Sequence, residues 1–184
     1  MVEIEDPTEK LKETIEALEE KEEAEEKRER WTTSVALTTA FVAVLAAIAG
    51  MMAGHHANEG MLEQIKASDK WAFYQAKSIK SDMASNTIQL LTAMGQPVPP
   101  ENTLKKASLE KDKADIKADA ESSEKSSEEH MHEHIVFSRA VTIFQVAIAI
   151  SAIAIVTRKK FMWYLSMSLA ALACVFLILG FLAQ

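Results

Sequence analysis

Three uncharged apolar runs constrain this chain more than any other feature. Thr32 to Gly54, Ala140 to Thr157 and Phe161 to Gln184 contain no Asp, Glu, Lys or Arg. Each is close to the roughly 20 residues that a helix needs to cross a hydrocarbon core about 30 Å thick. Backbone N–H and C=O groups in lipid must be paired within the segment, which favours helices there. The expected fold class is therefore an all-α integral membrane protein. Its three transmembrane helices are placed at 32–54, 136–157 and 161–184. The first run does not read as a cleaved signal segment. It follows 31 mostly acidic residues and exceeds the roughly 7–15 residues of a signal h-region.

Charge is segregated around these runs. Residues 1–31 carry 13 acidic and 6 basic side chains, and residues 55–135 carry 14 and 10. Basic residues near span ends set orientation, whereas acidic ones count for little. Lys21, Lys27, Arg28 and Arg30 precede the first span, and Arg158, Lys159 and Lys160 fill the 158–160 turn. Lys66, Lys70, Lys125 and Arg139 flank the spans on the other side. Seven against four places residues 1–31 and the turn in the cytoplasm, with residues 55–135 outside.

Residues 1–31 read as an acidic cytoplasmic helix. Asp6-Pro7-Thr8-Glu9 supplies an N-cap, a proline at the first helical position and an acid at the third. Ile4, Leu11, Ile15 and Leu18 recur near heptad spacing but form too short a run for an independent coiled coil. The single cysteine, Cys174, excludes an intrachain disulfide.

Residues 55–135 read as an extracytoplasmic antiparallel helical hairpin. Arms of 40 and 35 residues flank Gly95-Gln96-Pro97-Val98-Pro99-Pro100, a dense stop signal. Asn58-Glu59-Gly60 marks an expected break between the first span and the first arm. In that arm Leu62, Ile65, Ala72, Ala76, Ile79, Met83, Leu90 and Ala93 follow 3-4 spacing, interrupted by Asp69 and Asn86. The second arm is poorer: Leu109, Ile116 and Ala120 continue a seam, then Ser123 and Ser127 follow it.

A second face of the first arm holds Ala67, Trp71, Tyr74, Gln75, Ser78 and Asp82. Two packable faces imply two neighbours. The expectation is that the apolar stripe meets the hairpin partner. Trp71, Tyr74, Gln75 and Ser78 then meet a second copy or another protein. In the first span Ala46, Gly50 and Gly54 are spaced by four, as are Ser166, Ala170 and Cys174 in the third, a pattern that permits close helix approach. Gly50 and Gly54 are the span residues expected at a contact between copies.

All five histidines fall at two places, His55 and His56 after the first span, and His130, His132 and His134 before the second. Antiparallel arms bring the two groups together. His130 and His134 are i,i+4, as are His55 and Glu59, and imidazole ligates zinc or copper. Candidate metal ligands are thus His55, His56, Glu59, His130 and His134. Polar anchoring of helix ends and pH sensing are the competing roles.

His55-His56-Ala57-Asn58-Glu59, followed by Ala67-Ser68-Asp69-Lys70-Trp71-Ala72-Phe73-Tyr74-Gln75-Ala76-Lys77-Ser78-Ile79-Lys80, resembles an uncharacterised bacterial membrane family, domain of unknown function number 4337. The resemblance extends over most of the chain. It implies a bacterial membrane location and transfers no catalytic residue. The sequence carries no phosphate-binding glycine loop, hydrolase triad order or paired carboxylates, and no charged residue lies mid-span. The expected function is an inner-membrane structural or interaction protein that self-associates, and neither an enzyme nor a nucleic-acid binder. The alternatives are a metal- or pH-responsive sensor and a small oligomeric channel or transport accessory.

Overall fold

The computed structural model describes residues 7–182. They form three helices, α1 (Pro7–Ala93), α2 (Pro100–Thr157) and α3 (Lys160–Leu182), and among the described residues there is no strand. All three are long and apolar enough to cross a membrane. The Asp6 N-cap and the side chains of Thr8 and Glu9 lie outside the described residues, as does Ile4. Leu11, Ile15 and Leu18 are exposed.

Helix α1 passes unbroken through Asn58-Glu59-Gly60, where the sequence suggests a break. No proline stands there, and one glycine in a helix interior costs only about 1 kcal/mol against alanine. The helix stops instead at Gly95. The Gly95 N–H donates to Thr92 O (3.1 Å) and the Gln96 N–H to Leu91 O (2.9 Å). This pair of bonds needs a left-handed residue at the cap, and Gly95 has φ 66°. Pro97 and Pro99 keep the chain out of helix, and Pro100 opens α2, where its missing N–H costs nothing. Only Arg158 and Lys159 separate α2 from α3. Arg158 makes that turn with φ 57°, which an arginine adopts less readily than a glycine.

The chain divides into two compact units. The first comprises Met1–Ala49 and Arg139–Ile178. Its described core holds Val35 and Val42 of α1, Phe144 and Ala147 of α2, and Ala170 and Ala173 of α3. Buried Ser166 donates its hydroxyl to Ala147 O at 2.7 Å, Thr39 bonds Ser151, and the Trp163 indole donates to Thr38 Oγ1 at 3.2 Å. Small residues at these crossings let backbones approach closely enough for hydroxyls to reach across.

The second unit comprises Gly50–Ser138 and Leu179–Gln184. In α1 every seventh residue from Ala53 to Ile88, and from His56 to Leu91, is buried or half-buried. The same holds on α2 from Leu109 to Phe137 and from Lys106 to His134. This is the 3.5-residue period of a coiled-coil seam, filled here with small and polar side chains. Contacts run in opposite senses along the two helices. Ser127 donates to Gly60 O (2.8 Å), Lys70 to Ser123 Oγ (2.9 Å) and Asp119 O (3.0 Å), and Lys77 to Asp112 (2.5 Å). Ser81 donates to Glu110, holding that carboxyl below its ordinary range, with Lys113 adding to the effect. Cross-helix bonds thus satisfy polar groups that burial would otherwise penalise.

The structure reverses the expected assignment of the two faces of α1. Ala67, Trp71, Tyr74 and Ser78 are buried or half-buried, and Lys113 of α2 lies 5.9 Å from the Tyr74 ring centre. All ten positions of the Leu62-to-Ala93 stripe, Asp69 and Asn86 included, are exposed. The reason is helix separation. A seam of Gly60, Ala67 and Ser81 against Ala120, Ser123 and Ser127 allows a close approach with hydrogen bonds across it. Leucines and isoleucines would hold the helices apart and leave Lys70 and Lys77 of α1 and Ser123 and Ser127 of α2 without these partners.

Candidate functional site

Three side chains converge where the α1–α2 seam reaches the histidines: His56, His130 and Glu133. The seam period places His56 and His130 at matching positions on the two helices. Glu133, one turn beyond His130, turns its carboxylate inward and is largely covered. Its Oε2 lies 2.7 Å from His56 Nδ1 and 3.2 Å from His130 Nδ1, and the two Nδ1 atoms are 3.4 Å apart. The carboxylate accepts from both rings when each carries its proton at Nδ1.

His56 is buried and stacked on Phe137, with an interplanar angle of 4° and ring centres 5.4 Å apart. Burial is the main cause that pushes its pKa below the ordinary histidine value. Glu133 opposes that shift, and Glu59 opposes it more weakly, while His55 and His130 add to it. Phe137 is in turn pinned by Phe181 (ring centres 5.4 Å apart) and by Gly180, where an added Cβ would stand 2.7 Å from the ring.

The triangle suits a transition metal. Edges of 2.7, 3.2 and 3.4 Å bracket the roughly 3.3 Å ligand–ligand spacing of a tetrahedral site with bonds of about 2.0 Å. Two histidines and a glutamate form one such donor set, with a fourth position open.

Of the ligands expected from sequence, the structure brings His56 and His130 together and leaves three aside. His55 is exposed and meets only the edge of His56, with centres 5.3 Å apart. Glu59 is half-buried and outside the triangle. His134 donates from Nδ1 to Ala53 O at 2.8 Å, with Ser138 3.5 Å from its Nε2, so it acts as a helix clamp. The i,i+4 spacing of His130 and His134 therefore does not define the cluster. Glu133 was missed; the signal available was the His130-x-x-Glu133 spacing, one helical turn. Gly60 was also missed. An added Cβ there would lie 3.3 Å from Ser127 O and 3.5 Å from His130 Cβ, so it sets the helix separation beside the cluster.

Among the expected interaction residues, Trp71, Tyr74 and Ser78 lie toward the seam, and the Trp71 and Tyr74 rings meet edge to face at 5.5 Å. Gln75, Gly50 and Gly54 are exposed, and no atom lies within 4 Å of a Cβ placed on Gly54.

The model of a family described as a domain of unknown function, DUF4337, matches residues 31–183, and the chain belongs to that family. No curated protein and no solved structure matches the chain.

Proposed function

We propose that this DUF4337 chain is a multi-pass structural protein of a bacterial inner membrane that assembles by self-association. In this reading the apolar segments of α1, α2 and α3 are the spans, residues 1–31 are cytoplasmic, and the α1–α2 arm is an extracytoplasmic hairpin. One observation carries the proposal. The stripe from Leu62 to Ala93 has ten consecutive heptad positions, eight of them apolar, and every one is exposed. Leu62, Ile65, Ile79, Met83 and Leu90 are each at least half exposed. So long an apolar face, with sustained heptad phase, is the form of a coiled-coil seam lacking its partner.

Copies anchored in one bilayer meet in parallel, which sets Asn86 against Asn86 and Asp69 against Asp69. Paired asparagines fix register, while paired aspartates cost stability. In mild detergent the wild type should be an oligomer by light scattering. Ile79→Glu with Met83→Glu should make it monomeric without loss of helical signal. Asn86→Lys should weaken a parallel assembly. In an antiparallel one it would instead face Asp69 and tighten it. A wild-type monomer in several mild detergents and in membranes would end the proposal.

A second reading, metal responsiveness, is favoured by the His56–His130–Glu133 triangle. Zinc or copper bound there would lock the seam next to the spans. Purified protein titrated with zinc should bind about one ion per chain under this reading. His56→Ala and His130→Ala should each abolish binding, while His134→Ala should reduce it much less. Equal losses in all three variants would point to surface histidines instead.

A further inference from the structure

A cavity of about 350 Å³ in the first unit is lined by Ala24, Lys27, Arg28, Trp31, Arg158 and Lys160. Four of its six lining residues are cationic and none is acidic. The lining comes from two places far apart in sequence, one face of α1 between Ala24 and Trp31 and the connection between α2 and α3. Lys27 also pairs with Glu23 at 2.9 Å, but both groups are more than two-thirds exposed, so the pair is weak and solvent-screened. The Trp31 indole Nε1 is buried and is the one buried side-chain polar atom among the described residues that lacks a hydrogen-bond partner. A buried donor with no acceptor is costly, and an indole nitrogen can only donate.

Arg158 belongs to the same cavity and holds a left-handed backbone, φ 57°, that a glycine would adopt without strain. Retaining arginine at the turn keeps a cation at the cavity. On the membrane reading, Trp31 and the 158–160 turn fall at span ends on one side, which is the headgroup layer. Tryptophan and basic residues concentrate there, and basic pockets between spans hold anionic headgroups.

From these features we infer that the cavity is a binding site for an anionic phosphate group, held by Lys27, Arg28, Arg158 and Lys160, with the Trp31 N–H donating to a phosphate oxygen. The group is either a phospholipid headgroup or a soluble phosphate. The placement at the headgroup layer rests on the membrane reading; the cationic lining and the unpaired donor do not.

The test uses the full chain in mild detergent, with Trp71→Phe and Trp163→Phe leaving Trp31 as the fluorophore. Short-chain phosphatidylglycerol, phosphatidylcholine and inorganic phosphate are titrated separately. Saturable change with phosphatidylglycerol, and little with the other two, is the expected result. Arg158→Gln with Lys160→Gln should weaken it by more than about tenfold, with helical content unchanged. Trp31→Phe, read by lipid retained in native mass spectrometry, should weaken it less, because only one donor is lost. Equal binding of inorganic phosphate would support the site and assign the soluble source. Binding by neither anion, or binding that the double variant leaves intact, would overturn the inference. Carbonate extraction of cell membranes checks the anchoring separately. A chain released by carbonate that still binds phosphate would lose the membrane reading and keep the site.

Discussion

Gly60 is where a single side chain should decide whether α1 and α2 can close. Gly60→Leu gains about 0.8 kcal/mol of helix propensity. Against that, the Cβ alone would sit 3.3 Å from Ser127 O and 3.5 Å from both His130 Cβ and Met131 N, and three further carbons must then be placed beside α2. Overpacking of this kind costs about 1–3 kcal/mol. Separating the helices also breaks the 2.8 Å Ser127-to-Gly60 hydrogen bond, worth about 0.5–1.5 kcal/mol. The net loss is about 1–4 kcal/mol. Gly60→Ala, with only the Cβ to place, should fall within about 1 kcal/mol of wild type, since its propensity gain offsets a contact that needs only a small shift. Amide hydrogen exchange in detergent reads this locally, because opening free energies vary along a structure. Residues 120–134 of α2 should exchange roughly five- to several-hundredfold faster in Gly60→Leu, and about as in wild type in Gly60→Ala. Gly54→Leu is the control, since nothing lies within 4 Å of its Cβ. Unchanged or slower exchange in Gly60→Leu would refute the close-approach argument. Faster exchange in Gly54→Leu would show that another copy occupies that face.

Gly180→Ala should destabilise the protein by about 1–3 kcal/mol, because its Cβ would stand 2.7 Å from the buried Phe137 ring. Phe137→Leu should relieve much of that cost in a double-mutant cycle read by thermal unfolding. Arg158→Gly should raise thermal stability by about 1 kcal/mol by removing a left-handed non-glycine residue, while weakening phosphate binding at the Trp31 cavity. Acidification should loosen the His56 region. The folded-state pKa of His56 is depressed, chiefly by burial, so the unfolded chain takes up the proton first. The associated stability is full above the ordinary value of 6.5 and is lost as pH falls below it. Protection against exchange at residues 53–60, taken relative to the intrinsic amide rate at each pH, should therefore fall below pH 6.5 in wild type and much less in His56→Phe.

Much of the framework was legible from one dimension. The three apolar runs marked three helices long and apolar enough to cross a membrane, because apolar length can be counted directly. Gly95 and the prolines after it ended α1, and Pro100 began α2, because helix caps depend on the residues present at the cap. The buried positions Leu109, Ala120, Ser123 and Ser127 of α2, with half-buried Ile116 between them, were also visible as a period. The family assignment rested on contiguous residues around His55 and Trp71, and the match over residues 31–183 agrees with it.

Which face of α1 meets α2 was decided only by tertiary structure. Apolarity alone favours the Leu62–Ala93 stripe. The choice, however, depends on how near two backbones can come, and that is a property of both helices together. Gly60, Ala67 and Ser81 permit a separation at which Lys70, Lys77 and Ser127 find acceptors; no reading of α1 alone contains that information. The same closeness selects Glu133 over His134 as the third member of the histidine cluster. Spacing along one helix says which side chains share a face. It does not say which of them a neighbouring carbonyl, here Ala53 O, has already engaged.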